Sequence, residues 1–309
     1  GRSHITCLCG HRRPHRDCAN RVARWHRYRL YRRAIFYLAP ASPQRLRNAV
    51  VNVLSLNSVC AAPYGSPLLQ DISFNLKAGQ VLGLMGPNGA GKSSLLHCIA
   101  GGIPCTSGGL YLNGTPLKDW PLLVRARALA MQVQSAALNF PFTVEEVILL
   151  GRTPHASGNL CDKEVLQEVM TATDTTELRH RPYTQLSGGE KQRVQLARAV
   201  AQVWREEDAP TRLLLLDEPN SALDLSHQRM VLDLVATLAK TGCTIILATH
   251  DFNLLSAHAN QLLVMHQGTQ HSYGTPEEVL TPTMFQRIFN VSVLVQRHPE
   301  NNSPLVVHV

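Results

Sequence analysis

The run Gly86-Pro87-Asn88-Gly89-Ala90-Gly91-Lys92-Ser93-Ser94 has the residue types and spacing to hold a polyphosphate. Its glycines free the backbone to turn several N–H groups toward one anion. Lys92 supplies charge for β- and γ-phosphates, and the Ser93 hydroxyl can hold Mg²⁺. The apolar run Val81–Met85 precedes the loop, and Leu95, Leu96 and Ile99 follow at helical spacing. A strand therefore enters a glycine-rich turn and leaves as a helix whose N-terminus faces the anion. Such a match recurs by chance in glycine-rich chains, so its weight comes from what lies downstream.

Four further stretches carry compatible chemistry. Leu129–Gln134 reads as a strand ending in Gln134, whose side-chain oxygen can serve a metal or a water, and Phe140-Pro141-Phe142-Thr143 follows it. Leu186-Ser187-Gly188-Gly189-Glu190 opens a helix through Val203, a second N-terminal anion site capped by Ser187. The apolar strand Leu213–Leu216 ends in Asp217 and Glu218, which strand alternation is expected to send to opposite sides. Asp217 would then complete a metal shell, and Glu218 would orient and deprotonate a water. Ser221-Ala222-Leu223-Asp224 turns into an amphipathic helix. The strand Thr244–Ala248 delivers His250, placed for a γ-phosphate contact, at its C-terminal end. Tyr64, between two short β segments, reads equally as an aromatic face for adenine and as an ordinary half-buried loop tyrosine.

The elements that must position these residues belong to an α/β chain. Short β segments at Val51–Leu56 and Ile72–Leu76, brief strands at Leu110–Leu112, and mainly helical sequence over 143–185 alternate with the apolar strands above. With 309 residues and 44% hydrophobic content, the chain can bury one sizeable core or two modest ones. The net charge of +8 suggests nucleic acid only until it is divided. Residues 1–49 hold 12 Arg, no Lys and one acid, whereas the remaining 260 residues hold 18 basic and 21 acidic residues. The basicity belongs to the leader, and no nucleic-acid partner is expected.

Three readings of residues 1–49 stand side by side: a metal site at Cys7, Cys9, His11, His15 and Cys18, whose spacing fits no zinc pattern; an Arg-rich targeting or anion-binding arm; or an upstream extension, with the domain beginning near Val50. Eight scattered cysteines show no secreted framework and fit a reducing compartment; Cys98 and Cys105 read as packing residues rather than ligands. No apolar run is long enough to span a bilayer, so any membrane role must come through a partner.

With these residues in view, the chain from about Val50 to Val309 resembles the ATP-binding subunit of an ABC transporter. In that resemblance Gly86–Ser94 is the Walker A loop, Gln134 the Q-loop glutamine, Leu186–Glu190 the signature, Leu213–Pro219 Walker B, Ser221–Asp224 the D-loop and His250 the switch histidine. Tyr64 falls at the position of the adenine-stacking aromatic. The signature discriminates, because other phosphate-loop enzymes lack it. Within the family the closest likeness is to the haemin-importer branch, related to ferric-siderophore and cobalamin importers, through the stretches after Gln134 and Asp224, the extra residues Trp204–Arg212 and the C-terminal tail.

The resemblance implies a phosphate-loop NTPase cassette: a RecA-like core, an antiparallel β subdomain, and a helical signature subdomain over about 143–200. It implies an ATPase using ATP and Mg²⁺, with Ser93, Gln134 and Asp217 at the metal and Glu218 and His250 catalytic. The partners implied are a second copy in a head-to-tail dimer, two transmembrane permease subunits and, indirectly, a periplasmic binding protein. The place implied is the cytoplasmic face of a bacterial inner membrane. A soluble ABC-type ATPase is the reading from another class; a haem-binding protein using His266, His271 or His298 is a third. Asn220 stands where the family more usually has Thr.

Overall fold

The computed structural model describes residues 52–63, 65–134 and 140–309. Tyr64 and the leader residues singled out above lie outside them. In chain order the first elements are β1 (Asn52–Ala61), β2 (Leu69–Lys77), β3 (Val81–Met85), α1 (Lys92–Ile99), β4 (Ser107–Leu112), β5 (Thr115–Pro116), α2 (Leu122–Ala128) and β6 (Leu129–Gln132). A helical segment follows, with α3 (Val144–Leu149), α4 (Asn159–Ala172) and α5 (Gly188–Gln202). The chain then forms β7 (Leu213–Asp217), α6 (Leu225–Lys240), β8 (Thr244–Ala248), α7 (Phe252–His258), β9 (Gln261–His266), β10 (Thr269–Gly274), α8 (Pro276–Val279), α9 (Pro282–Phe289), β11 (Val293–Arg297) and β12 (Pro304–His308).

Ten strands make one sheet in the order β5-β4-β1-β2-β10-β9-β3-β8-β7-β6. Strands β9, β3, β8, β7 and β6 run parallel, each bonded to the next. The other half is antiparallel except where Thr269 of β10 pairs parallel with Gln70 of β2, and β10 joins it to the parallel half by running antiparallel to β9. The amino-acid pattern follows from this topology. In β7, alternate residues feed two apolar clusters, with Leu214 and Leu216 in one and Leu213 and Leu215 in the other. β3 and β8 divide likewise, with Val81 and Met85 against Leu82 and Leu84, and Ile245 and Leu247 against Ile246 and Ala248, so both faces call for apolar residues. β2 instead buries Ile72, Phe74 and Leu76 and leaves Asn75 and Lys77 to solvent, the alternation of a sheet wetted on one side.

Two elements of the helical segment begin with reciprocal caps, Thr143 with Glu146 and Ser187 with Glu190. Residues 204–212 are tied back to it. Trp204 Nε1 donates to Glu168 at 2.6 Å, and the buried Arg152 guanidinium meets Asp162 at 3.0 Å and Asp208 at 2.7 Å. The buried Arg152 charge is thus paired, as the cost of desolvating it requires. Two expectations change. The strand expected to end at Gln134 stops at Gln132, and the chain beyond His258, without elements in the sequence reading, supplies β9 to β12.

Candidate active site

The phosphate loop spans the gap between β3 and α1, and its conformation depends on missing β-carbons. At Gly86, φ is +150° and a side chain would run into the Met265 carbonyl. At Gly91, φ is +99°, and this left-handed residue is the N-cap of α1. No side chain caps that helix and no acid sits in its first turn, so its free N–H groups face the loop. Lys92, 7% exposed, donates from Nζ to the carbonyls of Gly86 at 2.8 Å and Pro87 at 3.2 Å. Burial lowers its pKa, and the carboxylates of Glu218 and Asp217 partly restore it.

The resulting cleft, about 500 Å³, lies within the usual range for small-molecule sites. It is lined by residues 88–94 of the loop together with Gln134 and Glu218. Gln267 and Gly268, from the turn between β9 and β10, also line it, as do Pro67 and Leu68. The sequence reading did not name these four. Gln267 sits at φ +49°, a conformation favoured only in turns, but a lone glutamine-glycine pair gives no signal of a site.

The two acids after β7 separate by a different route from the one expected. Asp217 ends the strand, is 4% exposed, and has its pKa raised by burial against the pull of the Ser93 hydroxyl. Glu218 is no longer on the strand: it takes φ +49°, and its N–H donates to the Ala248 carbonyl at 2.9 Å. This left-handed step, and not strand alternation, points the carboxylate into the cleft. Gln134 Nε2 donates to Glu218 Oε2 at 2.7 Å, and His250 Nε2 lies 2.8 Å from Oε1. Gln132, the other glutamine of that segment, is buried with its side-chain oxygen unpartnered.

Ser187, Gly188, Gly189 and Glu190 are not among the residues lining this cleft. Ser187 and Gly188 are exposed, and the Glu190 carboxylate accepts from the Ser187 N–H at 2.7 Å and from Arg181 at 2.8 Å. The two glycines differ. A β-carbon on Gly189 would lie 3.0 Å from the carbonyl oxygen of Ala222, so Gly189 permits close approach to the Ser221–Asp224 turn. A β-carbon on Gly188 would meet nothing within 4 Å.

A residue that the sequence reading passed over joins these parts. Gln192, on α5, donates from Nε2 to the Glu218 carbonyl at 2.8 Å and to Ser221 Oγ at 3.3 Å, and its Oε1 accepts from Ala222 N–H at 3.0 Å. Leu223 is buried, while Asp224 caps α6 by accepting from His227 N–H at 2.9 Å. A divalent cation fits the donor set at the loop. Asp217 is a buried carboxylate beside a serine hydroxyl, and a cation would relieve the burial that raises its pKa.

A sequence family described as ABC transporter matches residues 69–221. The "Hemin import ATP-binding protein HmuV" of Pseudomonas entomophila is 46% identical over 242 residues, covering 78% of this chain and 94% of that protein. The protein of the same name from Gloeobacter violaceus is 42% identical, covering 79% and 89%. A solved structure described as an inward-facing conformation of a metal-chelate type ABC transporter superposes with a TM-score of 0.68 at 28% identity, over 84% of this chain and 97% of that one. The cbiO1 protein of Clostridium perfringens shares the fold, with a TM-score of 0.64 at 24% identity over 77% and 94%.

Proposed function

The chain belongs to the ATP-binding subunits of ABC transporters, and from that membership we propose that it hydrolyses ATP to drive haemin import through a membrane permease. The observation that carries the catalytic part is that Lys92, Gln134 and Glu218 line one cleft at the N-terminus of α1, with His250 held against the Glu218 carboxylate. The cargo is inferred from relatives named for haemin import, matched over nearly their whole length.

ATP enters with its phosphates over the α1 N-terminus. Lys92 Nζ then exchanges the Gly86 and Pro87 carbonyls for β- and γ-phosphate oxygens. Mg²⁺, when bound by Ser93, Asp217 and Gln134, would neutralise charge building on the phosphates. Glu218 orients the attacking water and takes its proton. Its two oxygens are engaged by Gln134 and His250, which must turn toward the nucleotide for the base to act.

The signature comes from a second copy, head to tail. Gly188 supports this: among the described residues nothing needs that position bare, whereas Gly189 is required by Ala222. Gln192 ties this edge to Glu218 and the D-loop, so closure by a partner is felt at the base. Among the described residues no helix is long and apolar enough to cross a membrane. Phe140 and Phe142, exposed beside α3, form the apolar surface suited to permease subunits at the cytoplasmic face of the inner membrane.

The test is ATP turnover of the chain reconstituted with its permease and periplasmic binding protein. Haemin-loaded binding protein should stimulate it and ferric-siderophore or cobalamin ligands should not. Stimulation by either of those instead would replace the cargo while leaving the catalytic residues in place.

A further inference from the structure

Cys98 and Cys105 do not behave alike, as two packing residues would. Cys98 is in the last turn of α1, 1% exposed in the core; Cys105 is exposed on the loop that leads to β4. Their sulfurs are 3.3 Å apart. Both ends of the intervening loop are fixed by backbone hydrogen bonds. Gly101 N–H donates to the Cys98 carbonyl at 3.0 Å, Gly102 N–H to the His97 carbonyl at 2.8 Å, and Thr106 N–H to the Cys60 carbonyl at 2.8 Å. A hydrogen bond from the Cys98 thiol lowers the pKa of Cys105 to about 7, and the same contact with burial raises that of Cys98. Cys105 is thus the exposed and more acidic thiol, and Cys98 lies buried within reach behind it.

We propose that Cys98 and Cys105 form a peroxide-reactive dithiol that closes to an intrachain disulfide at the end of α1 remote from the phosphate loop. The Cys105 thiolate attacks a peroxide oxygen and breaks the O–O bond, giving a sulfenic acid and a hydroxide that leaves as water. Cys98 then loses its proton and attacks the Cys105 sulfur, and a second water departs as the S–S bond forms. Two thiols are oxidised by two electrons, and one hydrogen peroxide is reduced to two waters. Lys92 opens α1 and Cys98 closes it, about 9 Å further along at 1.5 Å per residue. The oxidation therefore does not consume a group of the nucleotide site, and it stands apart from the transport reading.

Both cysteines fall in one tryptic peptide, Ser93–Lys118, which holds no other cysteine. The full chain is treated with equimolar hydrogen peroxide and mapped by mass spectrometry. That peptide should lose two hydrogen masses in most chains and regain them with dithiothreitol. Cys105→Ser should abolish the loss. Cys98→Ser should leave a sulfenic acid on Cys105 that dimedone traps. Retention of both thiols while peptides bearing Cys60 or Cys161 oxidise would overturn the proposal, as would Cys105 pairing with any other cysteine. The wild-type map decides the matter even if the buried Cys98 substitution folds poorly.

Discussion

Replacing Gly188 by alanine separates a glycine that its own fold needs from one that only a second copy can need. The added methyl meets nothing within 4 Å among the described residues, and Gly188 is not among the positive-φ glycines. Alanine is favoured over glycine in a helix by up to about 1 kcal/mol, so the melting temperature should hold or rise by up to roughly 2–4 °C. In a closed pair the same methyl enters a packed contact, where an extra carbon costs about 1–3 kcal/mol. At 1.36 kcal/mol per tenfold, turnover should fall roughly 5- to 150-fold. Gly189→Ala should differ, because its methyl is 3.0 Å from the Ala222 carbonyl oxygen and must shift its own D-loop, lowering the melting temperature. Thermal melts and steady-state ATP hydrolysis on both variants make the comparison. Full turnover in Gly188→Ala, or a drop in its melting temperature, would refute the reasoning.

Lys92→Ala removes a charge-assisted hydrogen bond worth about 1.5–3 kcal/mol, so equilibrium binding should show ATP affinity roughly 10- to 150-fold weaker, and unchanged affinity would detach Lys92 from the phosphates. Gln192→Ala leaves the Glu218 carbonyl and Ala222 N–H without that partner, so kcat should fall about tenfold with KM nearly unchanged; a rise in KM alone would show that Gln192 serves binding. The Asp224 carboxyl is lowered to about 2 by the His227 N–H, the Ser226 hydroxyl and the His227 ring. Its folded pKa lies below the unfolded value near 3.9, so its contribution is complete above about pH 4 and is lost as pH falls through 2. Asp224→Asn keeps the cap but cannot titrate, and its melting temperature should fall less between pH 4 and pH 2 than that of the parent chain.

The parts legible in the sequence are those where local chemistry and fold demand the same residues. Residues 213–216 of β7 and 245–248 of β8 are all apolar because both faces are covered, and the phosphate loop needs its glycines before any ligand arrives. β10, Thr269–Gly274, shows no such pattern. Neighbours hold it: Gln270 Oε1 accepts from Ser73 N–H at 2.9 Å, and Tyr273 donates to the Asn75 carbonyl at 2.7 Å, across nearly 200 residues of chain. Glu218 escaped the alternation rule because one left-handed residue resets the direction of the backbone. Gln192 gave no signal, since its three partners come together only when α5 packs beside the D-loop. Cys105 read as packing and is exposed; its partner sulfur is a fact of the loop's path.

The central claim is that one cleft is completed by the signature helix of another copy. Glu218→Gln should keep ATP bound while turnover falls by about 10²–10⁴. The molar mass of that variant, measured by light scattering with MgATP and without nucleotide, tests the claim most directly. The account predicts a doubling with MgATP that Gly188→Ala, introduced into the same chain, weakens. A single-chain mass with ATP demonstrably bound would contradict it.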